Sequence, residues 1–189
     1  MTALPQVSEP TRSANDANDA DGWKRAAQRA LHPSGRRVDA DVLAAIAAGL
    51  AAVTVPWEIR EGEVPTERRY QRVLVTPEYE AWVICWPSGG TLDLHDHGGS
   101  SGAFSVVSGE LDEATIQATT AGNTTVVRRY ASGETSAFGS ARVHAIANRG
   151  TQPATSVHVY SPPLSTMVYY EHDPANGLVA VAEEAGGWL

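Results

Sequence analysis

Apolar residues recur along this chain in two rhythms, one of about 3.6 residues early on and one of two residues over most of the rest. Over 39–52, in an alanine-rich setting, Val42, Leu43, Ile46 and Leu50 fall on one stripe of a helix. Asp39 or Asp41 can cap its start. A weaker helical rhythm at 23–31 stops before Pro33 and Gly35. After Val53 the period shortens. Runs at 55–60, 69–76, 79–86, 91–95, 103–107, 111–119, 124–130, 142–147, 154–160 and 166–171 are rich in β-branched and aromatic residues. Turn formers separate them, among them Ser88-Gly89-Gly90, Ser108-Gly109, Ala121-Gly122-Asn123, Ser132-Gly133 and Asn148-Arg149-Gly150. About ten short strands with regular turns predict an all-β antiparallel sandwich or barrel behind a short helical part.

The two ends read differently. Residues 1–21, rich in Ser, Asn, Asp and Ala, can bury little apolar surface and are expected to be a disordered tail. Pro174, Asn176 and Gly177 are expected to break the sheet, which leaves 173–189 as an extension with a loose end at Gly186-Gly187. Residues 22–172 then form a single domain, with a helical lead-in at 22–53 and a β-barrel at 54–172.

Charge and cysteine content narrow the function classes. A net charge of −8, with few lysines and no basic cluster, argues against nucleic acid and against an anionic membrane surface. The single cysteine, Cys85, allows neither an internal disulfide nor a Cys-rich zinc site. It lies in the apolar run Ala81-Trp82-Val83-Ile84-Cys85-Trp86, where it reads as a small core residue. Trp57, Trp82 and Trp86 read as core in the same way. Neither a secretory leader nor an apolar run of about 20 residues is apparent, so the expectation is a soluble, cytoplasmic protein.

The candidate chemistry begins at Leu94-His95-Asp96-His97-Gly98-Gly99. Two residues apart on extended chain, His95 and His97 point to the same face about 6 to 7 Å apart. Both can then reach one metal ion through bonds of about 2.1 Å. Asp96 between them faces the other way and reads as structural or as a group that supports the ligands from behind. His32, in a Pro/Gly turn, and His172, beside Asp173, read as solvent-facing.

The surrounding spacing is more specific. Gly89, five residues, His95-x-His97, four residues, Gly102, six residues and Gly109 resemble the first cupin motif, with Gly102 where that motif has Glu. Gly133, five residues, Gly139, then His144, three residues and Asn148 are similar to the second motif. The resemblance implies a cupin double-stranded β-barrel and makes His144 a third metal ligand. Three neutral imidazoles leave the charge of a divalent ion uncompensated and coordination positions open, which favours an anionic ligand such as a thiolate and leaves room for dioxygen. Iron and zinc both suit such a set on spacing alone.

Ser156, His158 and Tyr160 share a strand face by the period of two and can form a hydroxyl–imidazole–phenol chain. The run Ser156-x-His158-x-Tyr160-Ser161-Pro162-Pro163 resembles the thiol dioxygenase branch of the cupins, the cysteine dioxygenase family. Tyr70-Gln71-Arg72 is similar to that family's Tyr-x-Arg, whose Arg binds the substrate carboxylate. The two side chains share a face and are expected to line one pocket. Together these resemblances imply an iron(II)-dependent dioxygenase, with Fe(2+) on His95, His97 and His144, that uses O2 to oxidise L-cysteine to cysteine sulfinic acid. Ser156, His158 and Tyr160 would be catalytic; Arg72, Tyr70 and His158 would bind substrate. The resemblance also implies a cis Ser161–Pro162 bond. The Cys–Tyr thioether known in animal members is excluded, because Gly102 stands at the Cys position. A monomer is expected, with a small thiol and O2 as its partners. Alternatives are a dioxygenase of 3-mercaptopropionate or another small thiol, and a non-redox metal-binding cupin acting as sensor or isomerase.

Overall fold

A computed structural model describes residues 37–119, 122–173 and 177–185. The expected tail at 1–21, the helix at 23–31, His32 and Gly186-Gly187 lie outside these residues. In chain order the elements are α1 (Ala40–Ala51), α2 (Trp57–Glu61), β1 (Arg69–Val75), β2 (Glu80–Trp86), β3 (Thr91–His95), β4 (Ser101–Ser108) and β5 (Glu110–Thr119). There follow β6 (Gly122–Ala131), β7 (Thr135–Phe138), β8 (His144–Ala147), β9 (Ala154–Ser161), β10 (Thr166–Asp173) and β11 (Gly177–Ala185).

The strands form a five-stranded sheet in the order β1-β2-β9-β4-β7 and a six-stranded sheet in the order β11-β10-β3-β8-β5-β6. Every pairing is antiparallel. The five-stranded sheet is buried on both faces at its centre, and the period of two divides its side chains between two cores. Ala81, Val83 and Cys85 of β2, Ala103 of β4 and Val157 and Val159 of β9 pack with Leu43, Ile46, Ala47 and Leu50 of α1. The alternate residues Trp82, Trp86, Phe104, Val106 and Tyr160 pack with Leu111, Tyr130, Phe138 and Ile146. All eight residues of β9 are buried. Two hydroxyls on its α1 side take up backbone donors: Thr155 Oγ1 accepts from Trp57 N–H at 2.9 Å and Ser161 Oγ from Val38 N–H at 2.9 Å.

Five details depart from the sequence expectations. The stripe of α1 is rotated by one residue: Leu43, Ile46, Ala47 and Leu50 are buried, whereas Val42 is 37% exposed. Asp39 is the N-cap residue but makes no side-chain capping bond. The run 55–60, expected as a strand, holds α2. Pro56 O accepts from the N–H groups of Ile59 and Arg60, and Trp57 is buried in the α1 core, while Val55 and Ile59 stay exposed. Helical hydrogen bonding and one buried indole here outweigh two β-branched residues with nothing to pack against.

The remaining two departures concern strands. β7 was not anticipated; it is only four residues long and pairs with β4. Gly177 does not break the sheet. It adopts φ 78°, a left-handed value suited to glycine, and pairs with Asp173, so that 177–185 returns along β10 as β11. No helix among the described residues is long and apolar enough to cross a membrane.

Candidate metal centre

β3 and β8 are hydrogen-bonded neighbours, and their register sets His95 opposite His144. His97 follows just beyond the end of β3, where Asp96 holds the chain in place. Asp96 N–H donates to Val168 O at 2.9 Å, its Oδ1 accepts from the N–H groups of Gly98 and Val168, and its Oδ2 accepts from Tyr170 O–H at 2.8 Å. Asp96 is thus structural, as its strand position implied. Gly98, at φ 56°, then turns the chain so closely past β10 that a Cβ would meet Thr166.

The three imidazoles are each 1% exposed, and their ring centroids lie 5.0, 4.8 and 4.9 Å apart. One ring nitrogen from each lies within 4.8 Å of the others. In each ring another hydrogen bond fixes the orientation: His95 Nδ1 to Asp93 O at 2.7 Å, His144 Nδ1 to Glu113 Oε1 at 2.6 Å, and His97 to the Arg142 backbone. His97 Nε2 is left buried without a hydrogen-bond partner. Burial, followed by the neighbouring His144, pulls His95 down to about 3 and His97 well below the usual imidazole range. These rings are therefore neutral at pH 7, the form in which imidazole binds metal. Oriented nitrogens, neutral rings and an orphaned inward nitrogen all fit a divalent metal ion.

Glu113, on β5, was not singled out in the sequence. It is 4% exposed and accepts hydrogen bonds from His144, Tyr130 O–H and Ser136 O–H. Burial acts to raise its pKa, but the His144 hydrogen bond and charge, together with Ser136 and Arg142, outweigh it and hold the group at about 2. The site therefore has a negative charge one residue removed from any bound ion. The signal in the sequence was Leu111-x-Glu113-x-Thr115, which sets Glu113 on the same strand face as a core leucine.

Beside the cluster runs the hydroxyl–imidazole–phenol chain. Ser156 Oγ is 2.9 Å from His158 Nε2, and His158 Nδ1 is 3.1 Å from Tyr160 Oη. Trp86 Nε1–H donates to Ser156 Oγ at 2.8 Å, and an indole can only donate. Serine then has its own proton left for His158 Nε2. Burial, with His144 next, lowers His158 to about 3, so the neutral ring carries its proton on Nδ1 and gives it to Tyr160 Oη. This leaves the Tyr160 proton free. Burial and the charge of Glu80 raise the pKa of Tyr160, which stays protonated. Its ring is stacked on His97 with centroids 5.2 Å apart.

Gly102, paired with Tyr160 on one side and Phe138 on the other, leaves no room for a side chain. A Cβ there would lie 2.6 Å from Phe138 and 2.9 Å from Tyr160. Phe138 fills that space and stacks on His97 at 4.7 Å. The Ser161–Pro162 bond is cis, as the resemblance implied.

A small cavity of about 60 Å³, mainly apolar, opens over Tyr160 and is also lined by Tyr70, Trp82, Leu92 and Arg68. Arg72 shares a strand face with Tyr70 but does not line this cavity. Its Nη1 bonds Glu80 Oε2 at 3.4 Å, where a carboxylate 1% exposed requires a cation. Of the two, Tyr70 borders this cavity, and Arg72 packs over Trp82. His172 is half-buried, not solvent-facing.

The profile of the family described as cysteine dioxygenase type I matches residues 27–173. The chain belongs to this family. With the two facing sheets, membership identifies the fold as the cupin double-stranded β-barrel. No curated protein matches the chain. Among solved structures it is similar to a recombinant oxalate oxidase in complex with glycolate, at 22% identity over 56% of this chain and 56% of that one, with a TM-score of 0.48. It is also similar to KdgF from a Halomonas species, at 17% identity over 53% and 83% with a TM-score of 0.44. A third likeness is to the Schizosaccharomyces pombe Cnp3 cupin domain, at 15% identity over 50% and 60% with a TM-score of 0.43. The chain spans about half the length of the oxalate oxidase chains it matches.

Proposed function

We propose that this chain is a metal-dependent cupin dioxygenase that uses iron(II) on His95, His97 and His144 to oxidise a small thiol, L-cysteine to cysteine sulfinic acid. The observation that carries this reading is the buried three-imidazole cluster lying against the Ser156–His158–Tyr160 chain. Family membership supplies the reaction class. In the overall change R–SH and O2 give R–SO2H, so both oxygen atoms go to sulfur and the substrate supplies the electrons. Iron bound here would supply the chemistry that brings thiolate and dioxygen together.

The protein's own part is positional and electrostatic. Neutral imidazoles leave a bound ion its full charge, which favours a thiolate over a neutral ligand. The chain from Trp86 to Tyr160 holds the phenol in one rotamer and directs its free proton away from His158, available to the bound reactants. Ile84, Leu92, Leu164 and Met167 line the cavity beside Tyr160 and would keep water from a thiol held there. Tyr70 and Arg72 are the residues that the resemblance assigns to the substrate carboxylate. Tyr70 borders the cavity, and Arg72 braces its wall beside Trp82, 5.6 Å from the ring centroid.

The test is anaerobic reconstitution with ferrous iron, then oxygen consumption and sulfinate analysis with L-cysteine, 3-mercaptopropionate and cysteamine. Uptake of one O2 per sulfinate formed, fastest with L-cysteine, is the expected result. An iron-loaded protein that consumes no oxygen with any of the three would end this reading and favour a non-redox cupin.

A further inference from the structure

A second cavity, of about 280 Å³ and mainly polar, opens between the sheets where β5 and β6 face β7. Two arginines line it, Arg128 of β6 and the half-buried Arg142 just ahead of β8. Glu113 is the one carboxylate in its lining. Cross-strand register sets Arg128 opposite Glu113, so the two share a face. They nevertheless form no ion pair, because both oxygens of Glu113 are taken: Oε1 by His144, Oε2 by the hydroxyls of Tyr130 and Ser136. Arg128 lies instead over the Tyr130 ring, 4.6 Å from its centroid. Among the described residues Arg142 has no carboxylate in ion-pair range either. Arg129, the next residue along β6 and on its opposite face, is by contrast paired with Asp112 and Glu110.

This recess therefore holds two permanent cations against one carboxylate whose oxygens are already committed. A planar guanidinium is matched by an oxyanion, which it can take through two parallel hydrogen bonds. The volume, against about 30 Å³ for each water in the liquid, leaves room for phosphate or a small carboxylate with part of its hydration. Gln117 flanks Arg142 here and in the depression beside it, and adds an amide donor without adding charge.

We propose that this recess is a second binding site, for a small oxyanion held by Arg128 and Arg142 with the Gln117 amide as a further donor. The ligand is a phosphate or a carboxylate, which share several oxygens spreading one charge. It occupies a different cavity from the one beside Tyr160 and has no residue of its lining in common with it. Its occupancy does not depend on which substrate, or which metal, the imidazole cluster takes.

The experiment is an amide NMR titration of the full chain with sodium phosphate and, in a separate series, sodium acetate, with sodium chloride holding the ionic strength constant. The protein is first dialysed against 2,2′-bipyridine, a neutral chelator, so that no metal at the imidazoles competes for the anion. Wild type is compared with Arg142→Gln, Arg128→Gln and Arg129→Gln, the last a control on the opposite face of β6. Saturable shifts centred on Thr115, Gln117, Ser136 and Arg142 are expected with at least one of the two anions. A charge-assisted contact of this kind is worth about ten- to a hundredfold in affinity. Arg142→Gln and Arg128→Gln are each expected to raise the Kd by about that factor, and Arg129→Gln to leave it unchanged. Should Arg142→Gln fail to fold, Arg128→Gln, at an exposed position, decides alone. Tighter phosphate binding assigns a tetrahedral oxyanion, tighter acetate binding a carboxylate. Shifts that stay linear in concentration with both anions overturn the proposal. So does a Kd that the cavity arginines do not change, or that Arg129→Gln raises as much as they do.

Discussion

A divalent ion held by three neutral imidazoles keeps its charge in a site almost closed to water, and Glu113 is the carboxylate placed to offset it through His144. Partners of this kind typically tune metal affinity 10- to 100-fold. Glu113→Gln, which keeps the shape and removes the charge, is expected to weaken iron(II) binding by about that factor in competition with a chelator, with an unchanged far-ultraviolet spectrum. Unchanged affinity would reduce Glu113 to a packing group. Gly102 sets a second constraint. Gly102→Ala is expected to cost about 1–3 kcal/mol in urea unfolding, because its methyl overlaps Phe138. In a Phe138→Ala background the same glycine substitution should cost less than it does in wild type; if it costs as much, Tyr160 is the group that cannot yield. At this scale the His95-x-His97 pair was legible because its spacing is a local property of the chain, whereas His144 was reached through the resemblance of its surroundings to the second cupin motif. Glu113 and Arg68 were not. An acidic residue beside Asp112 and an arginine beside Arg69 read as solvated charges until the fold brings one against a histidine and the other into a cavity.

Among the elements, α1 carries the scaffold. Leu43 is fully buried against the five-stranded sheet, and Leu43→Ala is expected to destabilise the protein by about 2–5 kcal/mol in urea unfolding. A loss under 1 kcal/mol would mean that α1 is not part of the cooperative unit. The strand runs were legible because the period of two survives wherever one face is buried. β9 is the instructive case: the period of two sets Ser156, His158 and Tyr160 on one face and Val157 and Val159 on the other, and only its partners reveal that both faces are buried, one against α1 and one at the site. α2 and β11 depended on information outside their own residues. Burial of Trp57 decided the first, and the left-handed turn at Gly177 decided the second.

For the molecule as a whole, the buried rings set a pH dependence. His95 and His158 take up protons only near pH 3 when folded, and His97 well below its usual range, whereas in the unfolded chain each titrates near 6.5. Unfolding therefore binds protons below about pH 6.5, and the stability of the metal-free protein falls as pH drops through that window. The expected slope is on the order of 1 kcal/mol per pH unit for each ring. Urea midpoints measured with a chelator present at pH 7.5, 6.0 and 5.0 check this; a flat profile down to pH 5 would mean that the rings accept protons while folded.

Position within the five-stranded sheet has a last consequence, for how such a protein can diverge. His158 and Tyr160 ride on β9, hemmed in by strands on either side and by a core on each face, so almost any exchange there is felt twice. Tyr70 sits at the start of β1, a border strand with a neighbour on one flank only, and Arg68 lies just ahead of it. The lining of the cavity can thus change along the margin of the barrel while the hydroxyl–imidazole–phenol chain at its middle stays put.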